Sequence, residues 1–191
     1  MDRENFLKLL KAKTEEKIPD EVAFENGFQL FYQYLISLFN RKEDEVALFI
    51  LDDREILKFL YPTFLRKSGA IPKNYRKSFV WKLINQKKGF IDNEFDKAEH
   101  LKFFESVREK RYVRPEERKK ERPPVAIQKI IGVPLMKGEK VFGAVEVSKK
   151  GETPEEAGDD FTQEDLKKLE DITRDVTDIL FSIYKRFILN K

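Results

Sequence analysis

The 191-residue chain has the length of one domain, and its 40% hydrophobic content with 17 phenylalanines is sufficient for a sizeable core. Its 38 basic and 35 acidic residues leave a net charge of +3, which is too near balance to indicate a nucleic-acid-binding surface. Cysteine is absent, which excludes disulfides and thiol catalysis, and no apolar run reaches the roughly eighteen residues of a membrane span.

Two helices are predicted in the first forty residues. A short helix covers residues 2–13, and Pro19 separates it from a second helix that runs from Asp20, its predicted cap, to Phe39. Apolar residues of the second helix recur at spacings of three and four, which makes one broad stripe. We interpret this stripe as core packing against a sheet rather than as a cofactor-stacking surface.

A hairpin and a third helix follow in the chain. Apolar runs predict strands at Val46–Leu51 and Glu55–Tyr61. Ser78 is the predicted cap of a short helix that stops at Gly89, and residues 90–93 are predicted as a short strand and turn.

A loop is predicted before the helix that Ser78 caps, and a further helix and a second loop are predicted after it. Residues 68–72 have loop composition, whereas residues 94–112 return to helical spacing. Residues 114–124 are too polar and proline-flanked to fold alone, and we predict a mobile loop there. The segment 105–124 holds eight basic and five acidic residues and therefore carries the whole net charge. Its modest excess and few aromatic residues make nucleic-acid binding a weak hypothesis.

The last third of the chain has the clearest pattern. Two alternating apolar runs, at 125–136 and 140–149, are joined by a turn at Lys137–Glu139 that contains a glycine. After an acidic loop, Thr162 is the predicted cap of a long helix, with Asp165 completing a capping box. The apolar positions of this helix recur nearly as a coiled-coil seam, formed by Leu169, Ile172, Val176, Ile179, Ile183 and Phe187.

Three short stretches resemble the C-terminal half of a GAF domain, a small-molecule sensor module of signalling proteins. Ile130–Leu135 is similar to the penultimate strand of that family, Val141–Val147 to its last strand, and Phe161–Leu166 to the start of its final helix. The resemblance covers roughly Asp20 to Leu189. It implies an α+β fold: an antiparallel sheet of five to six strands, with N- and C-terminal helices on one face and a variable lid over a pocket on the other.

The resemblance also implies a domain plan and an assembly. Residues 1–19 are an expected helical extension, residues 20–191 the GAF-like domain, and residues 93–124 its lid or insertion. Because GAF proteins often pair their terminal helices, the long seam favours a homodimer over a monomer whose helices only cover the sheet.

Five positions match the pocket of the family: Ala47, Tyr61, Phe79, Val80 and Glu146. Glu146 is a charge between apolar strand residues. On an outward face it is merely solvated, whereas inside a pocket its carboxylate needs a hydrogen-bond donor from the protein or the ligand. Basic residues of the predicted lid are candidate donors, namely Arg108, Arg111 and Arg114.

The pocket is not expected to bind a cyclic nucleotide. The Asn-Lys and Asp-Glu elements of cyclic-nucleotide-binding GAF domains fall on Lys149-Lys150 and near Gln163-Glu164, so both are altered. Bulky residues, Phe79 to Trp81, stand where that family commonly has glycine and alanine. Either the ligand is smaller and more apolar, or the pocket is filled and unused.

An enzymatic role is not expected. The GAF enzymes that reduce methionine sulfoxide and the bilin-binding photoreceptors depend on cysteine, which this chain lacks. His100 has no second histidine or cysteine for zinc, and we predict no metal site. The sequence favours a cytoplasmic regulatory protein that binds an unidentified small molecule, forms a homodimer and acts on a signalling protein in trans, without nucleic-acid or membrane binding. The alternative is a ligand-free dimerisation or adaptor module.

Overall fold

The computed structural model of the chain describes residues 1–68, 70–71, 78–95 and 125–189. In these ranges the helices are α1 (Arg3–Lys13), α2 (Asp20–Phe39), α3 (Phe79–Gln86) and α4 (Gln163–Tyr184). The strands are β1 (Val46–Leu51), β2 (Leu57–Tyr61), β3 (Ala70–Ile71), β4 (Phe90–Asp92), β5 (Ile127–Lys137) and β6 (Lys140–Lys150). Two short 3₁₀ segments, Glu43–Glu45 and Thr63–Ser68, and a π-helical end at Lys185–Leu189 complete the described elements.

The strands form one antiparallel sheet in the order β3-β2-β1-β6-β5-β4. Its longest pairing is the β5–β6 hairpin, which closes at Lys137 and Lys140 around a turn in which Gly138 has φ +57°. Glycine adopts that positive φ without steric cost. The predicted hairpin and the α+β class with a sheet of five to six strands are therefore confirmed.

The N- and C-terminal helices cover one face of the sheet, as predicted. Their apolar sides pack on Val133, Val145 and Val147 of the central strands. Phe6 and Leu10 of α1 are both 0% exposed, so the segment expected as an extension packs into the same core. The buried members of this core on α2 and α4 include Phe28, Phe31, Leu35, Leu169, Ile172, Val176, Leu180 and Ile183.

The opposite face of the sheet carries α3 and a smaller core. Ser78 caps α3 as predicted, because its Oγ accepts a hydrogen bond from the Trp81 amide at 3.4 Å. The helix ends at Gln86 rather than at Gly89, since Lys87 takes the left-handed conformation at φ 52°. Buried residues of α3 contact the sheet residues of this second core, which include Phe49, Leu51, Leu57, Ile130 and Ala144.

Three register shifts interrupt the regular pairing of the described strands, and one of them lies between Ile127 and Lys129 of β5. Leu48 and Phe49 of β1 pair with Tyr61 and Phe59, so Leu60 has no partner in the register. The β5–β6 register shifts in the same way between Leu135 and Met136, which leaves Phe142 unpaired. A bulge turns the residues after it to the other face of the sheet.

Several predicted boundaries were wrong. Pro19, not Asp20, occupies the N-cap position of α2, and no side chain caps it, because Asp20 already lies in the first helical turn. β2 begins at Leu57 rather than Glu55, whose φ of 57° does not fit a strand. The predicted loop at 68–72 contains β3, which pairs with β2. The expected helix at 94–112 and the mobile loop at 114–124 lie almost wholly outside the described residues.

The start of α4 is fixed by the predicted capping box. Thr162 Oγ1 accepts a hydrogen bond from the Asp165 amide at 3.1 Å, and the Asp165 carboxylate accepts one from the Thr162 amide at 2.9 Å. The Asn93 side chain forms two hydrogen bonds with the backbone of Phe161, the residue before the cap. It donates to the Phe161 carbonyl at 3.0 Å and accepts from the Phe161 amide at 2.9 Å. These bonds tie the helix to the end of β4.

Replacing Thr162 with alanine is expected to destabilise the fold by about 1 kcal/mol, because the helix loses the acceptor for one of its free amides. Thr162→Ser, which keeps the hydroxyl, is the matched control and should retain most of the wild-type stability. Urea unfolding followed by circular dichroism measures both variants. Equal losses in the two variants would mean that the threonine methyl group, not the cap, carries the effect.

Candidate functional site

The candidate site is a row of small residues around one carboxyl group on the α3 face of the sheet. Glu146 of β6 pairs with Ala47 of β1 on one side and with Gly132 of β5 on the other. Side chains in one row of an antiparallel sheet point to the same face. Neither neighbour has a side chain larger than a methyl group, so no bulky side chain stands beside the Glu146 carboxyl in this row of the sheet.

Helix α3 forms the wall of this site. A Cβ atom on Gly132 would lie 2.9 Å from Cε1 of Phe79 and 2.7 Å from Cδ1 of Leu83, which shows how closely the helix approaches the sheet. Val80 belongs to the same apolar cluster, and Ala47 packs against it. We call Ala47, Phe79, Val80, Gly132 and Glu146 the Glu146 site.

The Glu146 carboxyl is an unusual group in this setting. It is partly buried, and removal from water raises its pKa to about 8. Among the residues that the structure describes, none donates a hydrogen bond or forms an ion pair with it. At neutral pH the carboxyl is mostly protonated and can donate one hydrogen bond and accept others. The site therefore offers a ligand a single polar group beside apolar side chains.

Tyr61 does not belong to this site, contrary to the prediction. The bulge at Leu60 turns Tyr61 to the terminal-helix face, where its ring stacks on Tyr32 of α2 at 4.9 Å. Its hydroxyl lies 3.3 Å from Glu25 Oε2, and burial raises its pKa to about 12. The same Glu25 carboxylate accepts two hydrogen bonds from Arg66, at 3.0 and 2.8 Å. Tyr61 is thus part of a cluster that fixes β2 to α2.

The other four predicted positions do come together. Phe79 and Val80 lie on α3, and Ala47 and Glu146 are direct partners in the sheet. The candidate lid arginines and His100 lie outside the described residues.

Sequence reasoning missed Gly132 as a component of the site. The glycine was recognised as part of a strand motif, but its role depends on the approach of α3 and on its pairing with Glu146. A glycine inside an apolar strand is a signal of close approach, and that signal was present in the sequence.

No group of three or more histidine, cysteine, aspartate or glutamate residues in the described ranges is arranged to hold a metal ion. None of the helices in the described part of the chain is long and apolar enough to cross a bilayer.

The chain was compared with known proteins. No protein-family model matches it, and neither does any curated protein. Solved structures do match over nearly the whole chain. The GAF domain of an Acinetobacter phosphoenolpyruvate-protein phosphotransferase is 13% identical with a TM-score of 0.60, and the match covers 96% of each chain.

Two other solved structures have the same architecture. Residues 122 to 287 of a methyl-accepting chemotaxis protein are 10% identical with a TM-score of 0.61, over 95% of this chain and 98% of that one. The GAF domain of a two-component sensor histidine kinase from Bacillus halodurans is 15% identical with a TM-score of 0.54, over 84% and 96%. Together with the sheet order and the helices on each face, these likenesses show that the chain has the fold of a GAF domain.

Proposed function

We propose that this chain is a regulatory, sensory domain that binds a small molecule at the Glu146 site. The observation that carries the proposal is the Glu146 carboxyl, which is held beside Ala47 and Gly132 without a hydrogen-bond donor among the described residues. A buried polar group without a partner is costly, and a ligand that supplies one gains the corresponding free energy. The apolar walls favour a small, largely apolar ligand with one polar group, and a regulatory rather than catalytic role.

The proposed output is a change in the terminal helices. Helix α3 lies on the ligand face, and the turn that follows it reaches α4 on the other face, where Gly89 lies against Leu166 and Glu170. A ligand that binds one position of α3 more tightly than another would therefore bias the position of α4. We propose that the terminal helices also form a homodimer and pass this change to a signalling protein in trans.

The structure places a condition on the proposed dimer. Four residues of the predicted seam (Leu169, Ile172, Val176 and Ile183) are at most 3% exposed in one chain, so they already have their packing partners. A dimer through the terminal helices would use their outer faces, where Leu9 and Val22 are 38% and 47% exposed. Light scattering at micromolar concentration is expected to give twice the monomer mass, and a monomer mass would contradict the dimer.

A second function is favoured by the packing of α3. Phe79 and Leu83 already occupy the surface over Gly132, which supports a ligand-free dimerisation or adaptor module with a filled site. Two measurements distinguish the two functions. A sensor is expected to retain a co-purified molecule in native mass spectrometry, or to gain thermal stability from a member of a metabolite library in a thermal-shift screen.

Glu146→Met, which keeps a side chain of similar length without a strong hydrogen-bonding group, is the decisive variant in both measurements, and Glu16→Met, at an exposed position, is its control. Glutamine is not suitable here, because its amide donates and accepts hydrogen bonds as the neutral carboxyl does. We expect Glu146→Met to raise the Kd of the bound molecule at least about tenfold, the effect of about one lost polar contact. Glu16→Met should bind as the wild type does. Equal binding by all three proteins would place the ligand elsewhere, and no binding by the wild type would favour the adaptor function.

A further inference from the structure

The part of the chain that the structure describes supplies no positive charge to the Glu146 carboxyl. No lysine or arginine there forms an ion pair with it, and burial is the cause of its raised pKa. On the neighbouring positions of β5 and β6, Lys129 and Lys149 lie an odd number of residues from the row of the site, so their side chains point to the terminal-helix face. Their ammonium groups donate there to the carbonyls of Gly158 and Asp159.

The other basic residues of this region also have partners away from the carboxyl. The ammonium groups of Lys82 and Lys88 lie 4.2 and 5.0 Å from the centre of the Phe90 ring. Lys150, further along β6, forms an ion pair with Asp44 at 2.8 Å. The site therefore holds one ionisable acid without a described base, and a cationic ligand would be the counter-ion of its carboxylate form.

The Glu146 carboxyl is open to contact from outside the protein. Its residue is partly exposed, and its row neighbours, Ala47 and Gly132, leave the space beside it free of long side chains. In the described ranges two enclosed polar side-chain atoms lack a hydrogen-bond partner, the Thr173 hydroxyl oxygen and Arg186 Nε, and neither Glu146 oxygen is one of them. A carboxyl that keeps contact with solvent can also contact a ligand.

Two aromatic rings of the α3 face lie near the carboxyl. Cε1 of Phe79 lies 2.9 Å from the position that a Cβ atom on Gly132 would take, and Gly132 is the direct partner of Glu146. Phe49 follows Ala47 by two residues on β1, so it points to the same face, one diagonal step from Glu146. The faces of aromatic rings carry partial negative charge and attract cations. The surroundings of the carboxyl therefore suit a positively charged group.

From these observations we infer that the Glu146 site takes a small organic cation, an amine whose ammonium group lies against the carboxylate and whose hydrocarbon part packs on Phe79 and Val80. The inference rests on the proposed function and names the class of its ligand. The ammonium group donates hydrogen bonds to the carboxylate, and the proton that the free carboxyl held passes to the solvent.

The loss of that proton is affordable near neutral pH. Because the pKa of the Glu146 carboxyl is about 8, ionising it at pH 7 lowers the affinity for a cation by only about tenfold. A hydrogen bond between two charged groups is about twice as strong as one between neutral groups, and this bond lies beside apolar side chains that keep much of the water away. A neutral ligand of the same shape lacks this contact.

The test compares amines with alcohols of the same carbon skeleton, by amide chemical shifts of the ¹⁵N-labelled chain at pH 8. The probes are isopentylamine, hexylamine and 2-phenylethylamine, paired with isopentanol, hexanol and 2-phenylethanol, at an ionic strength kept constant with sodium chloride. At this pH the amines are cations and the alcohols are neutral. We expect saturable shifts at Ala47, Gly132 and Glu146 for at least one amine, with a Kd at least about tenfold below that of its alcohol.

The outcomes separate this inference from the proposed function. An alcohol that binds as tightly as its amine would overturn the inference, because the charge then contributes nothing, and so would the absence of saturable shifts with all three amines. A neutral or anionic molecule retained through Glu146 in the metabolite screen would keep the sensor function and exclude the cation. No ligand for the wild type in any of these experiments would remove both.

Glu146→Gln isolates the contribution of the charge. Glutamine keeps the hydrogen-bonding capacity of the neutral carboxyl but cannot ionise, so the preference for an amine over its alcohol should fall from at least about tenfold to about twofold or less. Glu16→Gln, which removes an exposed carboxylate outside the site, is the control and should keep the full preference. A preference that survives in Glu146→Gln would place the cation elsewhere and contradict the inference.

Discussion

Replacing Glu146 with glutamine is expected to raise the free energy of unfolding above pH 8 by on the order of 3 kcal/mol, with allowance for its partial exposure. The pKa of this carboxyl is raised from 4.5 to about 8 in the folded chain, so the folded state holds a proton that the unfolded state has released. Stability attributable to Glu146 is therefore highest below pH 4.5, falls as pH rises from 4.5 to 8, and stays low above that. Glutamine does not ionise and does not show this loss.

Urea unfolding of wild type and variant at pH 5 and pH 9 measures this prediction. The difference between the two proteins should be small at pH 5 and large at pH 9, since the ionised form of Glu146 is the one penalised by burial. Glu16→Gln, an exposed substitution of the same chemistry, should show a nearly constant difference from wild type. A difference for Glu146→Gln that does not change with pH would show that the carboxyl is hydrated in the folded state.

Gly143→Ala is expected to destabilise the chain by about 3 kcal/mol or more, the upper range for overpacking. A Cβ atom at this position would lie 2.3 Å from the Phe49 carbonyl oxygen, and it would also approach Cδ1 of Leu135 at 3.2 Å. The first contact is with backbone, which has no rotamer to relieve it. β6 lies between β1 and β5 in the middle of the sheet, so the strand has no room to move outward.

Gly138→Ala is the comparison for that prediction. Gly138 has φ +57°, but nothing lies within 4 Å of a Cβ atom there. Its substitution should lower the free energy of unfolding by only about 1 kcal/mol, which is the usual advantage of glycine over alanine at a positive φ. Denaturant unfolding of both variants decides the matter, and a loss at Gly138 equal to or larger than that at Gly143 would contradict the argument from close approach.

The parts of the fold that sequence reasoning predicted correctly are those set by local chemistry. The Thr162–Asp165 capping box, the cap at Ser78 and the hairpin turn at Gly138 each depend on residues a few positions apart. Hydrophobic periodicity identified the buried stripes of α2 and α4, whereas the placement of both helices on one face of the sheet came from the resemblance to a GAF domain. These signals need no knowledge of which strands are neighbours.

Tyr61 shows where such reasoning fails. Strict alternation groups it with Leu57 and Phe59, which do belong to the core beneath α3. The bulge at Leu60 reverses the alternation for the last residue of β2. A bulge is a property of the strand pair, and a single strand sequence contains no residue that requires it here.

The close approach of α4 to the turn after α3 was beyond the sequence for a related reason. A Cβ atom on Gly89 would lie 2.9 Å from Cδ1 of Leu166, and this contact joins segments that are far apart in the chain. The Glu146 site was predictable in part, because its charge among apolar strand residues was visible, whereas its proximity to Gly132 was not.

The lengths of the outermost strands have a consequence for behaviour at high concentration. The sheet ends in β3 with two residues and β4 with three, while its interior strands reach eleven. Among the described residues, β4 pairs with Gly132, Ile131 and Ile130 of β5, and the stretch of β5 beyond them includes Pro134, which has no amide hydrogen to donate. Edge strands this short offer an incoming strand few unpaired backbone N–H and C=O groups, so this sheet is poorly suited to nucleate fibrils from the folded state.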